Sequence, residues 1–295
     1  MLVIPTKLGG RAGSGSLAIL LLILAARAAP AKECEESHSL SRPTPREMLR
    51  PMSTDRPDAT ESPYTVDAGH AQIELEVLSY LSDRRNPERS STRVRELSLF
   101  AINLKAGVSS TVDVQLLLLP HSLVRTKDLA TGASGESEGF GDVGLRVKIN
   151  LWGNDEGKTA FAALPFVSFP TAEDGLGSGD FEGGVAFPLA VELGGEFGFG
   201  AMLQLAAVRD AADAGYVLEF VHTTTVSRAI AGDLSGFLEI AGAVTVESGS
   251  RWGVTLNFGF TYAVTEDLLL DLGANLGLTR AAPDVRVFFG VSRRF

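Results

Sequence analysis

The sequence has a single cysteine among 295 residues. One thiol excludes a disulfide scaffold, a cysteine-based zinc site and a redox dithiol. Basic residues are also few: 26 Lys and Arg against 36 Asp and Glu give a formal charge of −10. No basic stripe is present, which argues against nucleic acid as a partner. Long apolar runs are scarce too, although the mean hydropathy is +0.15. The apolar residues are therefore spread along the chain.

The one long apolar run lies near the N-terminus. Two basic residues precede the run 17–24 (LAILLLIL), and small residues follow in 25–31. This order predicts a secretory signal peptide over residues 1–31, cleaved after Ala28 or Ala31. The alternative is an N-terminal membrane anchor, for which the apolar core is short. Cleavage would export the chain and change its formal charge to −13, because three basic residues are removed.

Residues 32–68 are rich in proline and charge and show neither helical nor strand periodicity. Such a segment cannot bury a core of its own, so we interpret it as an N-terminal periplasmic arm. Cys34 follows Glu33, where a lipoprotein signal needs a small residue, so a free thiol is predicted. The stretch 54–63 is the candidate plug for a barrel lumen, and a disordered tail is the alternative. The candidate plug residues are Asp55, Arg56, Pro57, Asp58 and Glu61.

Beyond the arm, residues alternate between apolar and small or polar along nearly the whole chain. In 252–264 one parity is apolar or aromatic throughout, from Trp252 to Val264, and the other is small or polar. A soluble sandwich also alternates, but eleven to thirteen residues is about the length of a tilted membrane-spanning strand. Such segments are 70–81, 94–107, 111–124, 139–151, 158–170, 181–193, 196–208, 215–229, 234–246, 251–264, 268–279 and 285–295.

The number and spacing of these segments favour a closed barrel over residues 69–295. Twelve is even, as a single-chain bacterial barrel normally requires. The links between segments alternate between long and short through the first four pairs, as extracellular loops and periplasmic turns do. The predicted fold is therefore an all-β, transmembrane, antiparallel up-and-down β-barrel of about 12 strands, located in the cell outer membrane.

Several motifs resemble a known Gram-negative outer-membrane family. The stretch 53–63 (STDRPDATESP), the segment 139–145 (GFGDVGL) and the triplet 169–171 (FPT) are similar to the family labelled "putative MetA-pathway of phenol degradation". At 104–107 (LKAG) the family more often has Arg-Tyr-Gly, so the likeness is weaker there. The resemblance implies an outer-membrane barrel that acts as a transporter of aromatic or other hydrophobic compounds, and it transfers the fold better than the substrate.

If the apolar parity faces lipid, the opposite parity lines the lumen. One interpretation is that its charges pair across a narrow lumen and stiffen the barrel. The other is a hydrated path whose excess of acids favours cations or neutral solutes. The candidate lumen-lining residues are Glu74, Glu76, Lys105, Asp113, Asp142, Arg146, Lys148, Glu182, Glu239, Arg251, Asn257, Asp271 and Arg286.

The end of the sequence has the form of a barrel-assembly signal, with Phe289, Val291 and Phe295 on one apolar parity. Arg293 interrupts that parity and is expected to reach the membrane surface. The partners predicted are therefore outer-membrane lipid, the barrel-assembly machinery and a small-molecule solute.

The chemistry of the chain does not favour an enzyme. The four histidines are scattered, and none has a recognisable nucleophile, base and orienting group around it. We predict no catalytic residues, no cofactor and no metal site. The function predicted is a channel or transporter for small, hydrophobic or aromatic solutes. The alternative is a non-conducting barrel with a structural role or with binding carried by its loops.

Overall fold

The computed structural model describes residues 38–86, 91–210, 215–247 and 249–295. They form one 3-10 turn, Arg46–Met48, and fourteen β-strands. The strands are β1 (Ala71–Asn86), β2 (Thr92–Ser109), β3 (Val112–Leu118), β4 (His121–Asp128), β5 (Ser134–Gly139), β6 (Val143–Trp152), β7 (Thr159–Phe169), β8 (Glu182–Gly194), β9 (Phe197–Arg209), β10 (Tyr216–Ala231), β11 (Leu234–Thr245), β12 (Gly253–Thr265), β13 (Leu268–Gly277) and β14 (Val285–Arg294).

These strands form a closed antiparallel barrel with twelve positions around its circumference. The first strand, β1, pairs with both β2 and β14, which closes the sheet. Two of the twelve positions hold two strands each: β3 and β4 both pair with β2, and β6 and β5 pair with them in turn. The first interruption falls at Pro120, which has no amide hydrogen for a ladder. The predicted twelve-stranded barrel is confirmed.

The barrel carries its apolar side chains on the outside. Along β11, Leu238 and Ile240 are 56% and 49% exposed, whereas Glu239 and Ala241 are buried in the interior. The same alternation runs along β9, where Leu203 is exposed and Met202 is buried. An apolar outer band over a polar interior is the arrangement of a transmembrane barrel, because lipid covers the band and closure leaves no unpaired edge.

The lengths of the links distinguish the two ends of the barrel. At the end where β1 begins and β14 finishes, the five links have two to six residues. At the other end the six links have five to twelve residues. Short turns are typical of the periplasmic end and longer loops of the extracellular end. The two ends are named here accordingly.

Two predicted extracellular loops are shorter than expected. The predicted link 82–93 is mostly strand, since β1 continues to Asn86 and β2 begins at Thr92. The predicted link 125–138 is mostly the β4–β5 hairpin. In β5 both parities are polar (SGESEG), so no hydrophobic alternation marks the strand. Strands that extend beyond lipid meet water on both faces, and the alternation that predicts them is lost.

No helix in the described part of the chain is long and apolar enough to cross a membrane. The predicted signal peptide, residues 1–31, and Cys34 lie outside the described residues.

Candidate functional site

Residues 38–70 are the described part of the N-terminal arm, and its residues 53–66 occupy the barrel lumen. Its base lies at the periplasmic end, where the Thr44 amide donates to the Ala68 carbonyl (2.9 Å) and Ala68 forms a parallel bridge with Gly107 of β2. His70 contacts both sides of this base, with Nε2 2.8 Å from the Thr44 carbonyl oxygen and Nδ1 3.0 Å from that of Phe295. Residues 53–66 form the lumen segment, which enters and leaves at this same end.

Asp55 is the centre of a buried charge cluster in the lumen. Its carboxylate contacts Lys105 of β2 and lies 2.6 Å from Nζ of Lys148 of β6. Lys105 also contacts Glu74 of β1, whose carboxylate accepts a hydrogen bond from the Asp55 amide (3.0 Å). All four side chains are almost completely buried. The ion pairs and the hydrogen bond among these groups therefore offset the large desolvation cost of burying each charge.

Arg56 makes a second cluster on the opposite side of the arm. Its guanidinium forms a two-point contact with Asp271 of β13, at 2.7 and 3.2 Å, and lies 2.9 Å from Glu76 of β1. Arg286 of β14 donates to the same Glu76 at 2.7 Å. Gly290 of the wall leaves room for this guanidinium, because a Cβ there would lie 2.5 Å from Nη2 of Arg56 and would displace it. The two-point contact between the planar guanidinium of Arg56 and the Asp271 carboxylate fixes the orientation of the arm as well as its position.

The tip of the arm is held mainly through its backbone. Glu239 of β11 accepts hydrogen bonds from the amides of Ala59 and Thr60, at 2.9 and 2.8 Å, and from the Thr60 hydroxyl at 2.6 Å. Asp58 belongs to the arm and not to a membrane-spanning strand. Burial and the nearby negative charge of Glu239 raise the pKa of its carboxyl. Glu61 of the arm pairs with Arg146 of β6.

The returning stretch of the arm is bonded to the wall by side chains of the strands. Asn150 donates to the Pro63 carbonyl (3.0 Å), and Asp113 accepts from the Val66 amide (3.0 Å). At the mouth, Arg50 and Asp67 form an ion pair (2.7 Å) within the arm. The arm is thus anchored along its whole passage through the lumen.

The lumen wall across β7–β11 has a different character. The buried inward positions there are mostly small or apolar, with Glu239 and Thr223 as the groups that contact the arm tip. This apolar wall comprises Ala160, Ala162, Leu164, Ala186, Met202, Ala206, Val208, Val221, Ala241 and Ala243. Strands β1–β3, β6 and β12–β14 form the charged wall, and β4 and β5 continue the sheet at the extracellular end.

The structure brings ten of the thirteen candidate lumen residues together around the arm. Asn257 does so through Glu239, to which it donates at 2.7 Å, and Arg286 through Glu76. The ten are Glu74, Glu76, Lys105, Asp113, Arg146, Lys148, Glu239, Asn257, Asp271 and Arg286. Of the candidate plug residues, Asp55, Arg56 and Glu61 form ion pairs with the wall, Asp58 lies near Glu239, and Pro57 lies between these contacts.

Three candidates lie elsewhere. Asp142 precedes β6 at the extracellular end and accepts hydrogen bonds from loop amides, including that of Ala172 at 2.9 Å. Glu182, the first residue of β8, accepts from the Arg209 amide at 2.7 Å. Arg251 is exposed in the link before β12, because that strand begins at Gly253, two residues later than predicted. Of these, Glu182 keeps the inward parity of Ala186 at the extracellular end of β8, whereas Arg251 lies outside the strand in which it is predicted.

Sequence reasoning missed the backbone of the arm as a binding partner. Amides of Asp55, Thr60 and Val66 are each held by a carboxylate of the wall. Every non-proline residue carries such a donor, so no residue type marks these contacts. Arg50 and Asp67 were also missed, since nothing in the spacing shows that they meet.

No cluster of three His, Cys, Asp or Glu side chains suited to a metal occurs among the described residues. The absence of catalysis and cofactors stays a prediction.

The closed barrel and its apolar outer band define an outer-membrane β-barrel protein. The chain belongs to the family described as "Putative MetA-pathway of phenol degradation", whose model matches residues 54–295. The predicted resemblance is confirmed, and the matched region starts inside the lumen segment of the arm. No curated protein matches the chain in sequence.

Solved outer-membrane barrels are similar in fold at low sequence identity. The β domain of the Bordetella autotransporter BrkA is 14% identical, with a TM-score of 0.49 over 77% of this chain and 99% of that one. The translocator domain of the autotransporter NalP from Neisseria meningitidis is 10% identical, with a TM-score of 0.48 over 76% and 88%. The CymD monoaromatic hydrocarbon channel is 10% identical, with a TM-score of 0.39 over 76% and 87%.

Proposed function

We propose that the protein is an outer-membrane channel for small hydrophobic or aromatic solutes, closed at rest by its own N-terminal arm. The observation that carries this proposal is the lumen segment itself. A barrel whose own side chains filled its interior would have no room for a second segment of chain. This barrel accommodates residues 53–66, which enter the lumen at the periplasmic end and return to the same end. Withdrawal of that segment would leave a passage of corresponding width.

The contacts of the arm are suited to release. They are ion pairs and hydrogen bonds to polar side chains of the wall, and water that enters as the segment moves can replace each of them. The clusters are balanced in charge, since Asp55, Glu61 and Glu74 meet Lys105, Lys148 and Arg146. We infer that these wall charges serve the arm and not the selection of ions.

The apolar wall supports the solute class. Inward alanines, with Leu164 and Met202, give a surface that neutral aromatic or aliphatic molecules can contact without losing hydrogen bonds to water. The family description is consistent with aromatic substrates.

The alternative function is a non-conducting barrel in which the arm is a permanent filling. The extent of bonding along the arm favours this alternative, because each buried charge of the Asp55 and Arg56 clusters has a partner of opposite sign.

Deletion of residues 32–62 decides between the two functions. In planar bilayers, the deletion variant should show stable single-channel conductance well above that of the full mature chain. Arg46→Gln is the matched control, since this arm residue is exposed at the periplasmic mouth and should leave conductance unchanged. Equal conductance of deletion and full-length proteins, both with the heat-dependent gel mobility of a folded barrel, would establish the filled barrel.

Liposome swelling tests the solute class. Vesicles containing the deletion variant should swell faster with a neutral aromatic alcohol than with a sugar of similar mass. Equal rates for the two solutes would leave a general pore and refute the apolar preference.

The remaining partners follow from the surface. We propose that lipid surrounds the outer band and that the assembly machinery binds the outward parity of β14, where Phe289 and Phe295 are exposed. Arg293 lies on this parity with its guanidinium 5.0 Å from the Phe295 ring centroid, so its charge is directed to the periplasmic rim.

A further inference from the structure

Five basic residues gather on the outer surface at the extracellular end of β1, β2 and β4. Burial and strand register show which way they point. On β2, Val94 and Ser98 are buried in the interior, so positions 93, 95, 97 and 99 face outward. On β4, Ser122 is buried in the interior, so Arg125 and Lys127 face outward, and on β1 Asp83 is paired with the inward Val94, so Arg84 faces outward. The basic patch consists of Arg84, Arg93, Arg95, Arg125 and Lys127.

The strand register places these charges directly against one another. Arg95 is paired with Arg125, and Arg93 with Lys127, on adjacent antiparallel strands. Like charges opposite each other destabilise a sheet. Glu136 of β5 offsets one of them through an ion pair with Arg125 at 2.6 Å. A chain with a net charge of −10 thus concentrates positive charge at one place on its rim.

The patch begins where the apolar band ends. One register step toward the membrane on the same outward face, Leu97 is paired with Tyr80 and with Leu123. One step further toward the membrane, the outward-facing pair is Leu78 and Leu99. Two residues along a strand span about 7 Å. On the β4–β5 side the same outward levels hold His121 and Glu138, which lie 3.7 Å apart. The basic side chains therefore lie at headgroup depth above an apolar surface that β1 and β2 form.

We propose that the basic patch is a binding site for the phosphate groups of a phosphorylated lipid of the outer leaflet. Arginine binds phosphate oxygens through a planar two-point fork, and a phosphate placed between Arg95 and Arg125 would remove their mutual repulsion. The acyl chains of the same lipid would lie on Leu78, Tyr80, Leu97 and Leu99 of β1 and β2. This inference requires the barrel to be in the outer membrane, but it does not depend on conduction or on the arm.

Native mass spectrometry of the mature protein in non-ionic detergent tests the proposal. The probes are bis-phosphorylated lipid A, the same glycolipid without phosphates, and inorganic phosphate. The phosphorylated lipid should bind the wild type at least roughly tenfold more tightly than the phosphate-free lipid does. Inorganic phosphate at an equal concentration should not displace it. Equal binding of the two lipids, or displacement by equimolar phosphate, would overturn the proposal.

A charge-matched pair of variants localises the site. The triple variant Arg95→Gln, Arg125→Gln, Lys127→Gln should lose at least roughly tenfold in affinity for the phosphorylated lipid. The control triple Arg46→Gln, Arg228→Gln, Arg280→Gln removes the same charge from exposed positions elsewhere and should bind as the wild type does. An equal loss in both triples, or none in the first, would show that no site exists here. The comparison of the two lipids on the wild type needs no variant to fold.

Discussion

The two walls of the lumen differ in what they can hold. The charged wall, β1–β3, β6 and β12–β14, binds the arm through Lys105, Lys148, Glu76 and Asp271. The apolar wall, β7–β11, presents small and aliphatic side chains and holds the arm tip chiefly through Glu239. The difference teaches that charge in a barrel interior need not describe the solute. Here the paired charges hold the segment of the same chain that lies in the lumen, and the buried inward side chains of β7–β11 are mostly small or apolar.

Breaking the charged wall at its centre should have the largest effect. Asp55→Asn leaves Lys105 and Lys148 short of a negative partner in a buried site, which should weaken seating of the arm by about 3–5 kcal/mol. The measurement is the maleimide labelling rate of Ala59→Cys in a Cys34→Ser background, which should rise by at least about a hundredfold. Glu47→Gln, exposed in the arm, is the control. A labelling rate that Asp55→Asn does not change would mean that the charged wall does not hold the arm.

Neutralising Glu239, which holds the arm tip from β11, should have a smaller effect. Glu239→Gln replaces a charged acceptor of three hydrogen bonds from Ala59 and Thr60 by a neutral one, costing about 1.5–3 kcal/mol. Single-channel recording should show brief openings, because the tip of the arm detaches from Glu239 while the ion pairs of Asp55 and Arg56 with the charged wall remain formed. Glu247→Gln, on an exposed residue of the next link, should record as the wild type does. Long openings equal to those of the arm deletion would show that the tip, and not the charged wall, closes the lumen.

The tip should also respond to pH. The pKa of Asp58 is raised in the seated arm by burial and by Glu239, so its contribution to seating is present when the carboxyl is protonated. That contribution is lost as the pH rises through the raised pKa, and open probability should increase with pH above the ordinary carboxyl range. Asp58→Asn cannot ionise and should flatten this dependence. An equally steep increase in the variant would assign the pH response to another group.

Making the apolar wall polar should have the smallest effect. Ala186→Ser and Ala241→Ser add hydroxyl groups with little volume, and in the arm-deleted barrel they should slow swelling by a neutral aromatic alcohol about two- to threefold. Swelling by a sugar of similar mass should not change. A parallel change for both solutes would show that the wall limits width and has no preference for apolar molecules.

The strands could be predicted from the sequence because one physical rule acts on every membrane-spanning residue: side chains that face lipid are apolar, and side chains that face the interior are small or polar. Each apolar parity in 251–264 or 285–295 records that rule, and the strands follow it to within a few residues. The rule ends where lipid ends. Beyond the band, β5 and the end of β4 from Arg125 onward are polar on both faces, so the alternation predicts a loop over 125–138.

The candidate site was only partly legible, for a related reason. Parity shows which charges face inward, and it correctly predicts the buried positions of Lys105, Lys148 and Glu239. It does not show what they meet. Glu239 binds two backbone amides of the arm, and a backbone amide has no signature in a sequence.

The path of the arm has a topological consequence. Both ends of residues 53–66 leave the lumen at the periplasmic mouth, and Thr44 is bonded there to Ala68. No free end of the polypeptide has to pass through the barrel for this doubled segment to enter or leave. A stopper of this kind can be inserted after the wall has closed, and it can be drawn back without unpairing a single strand.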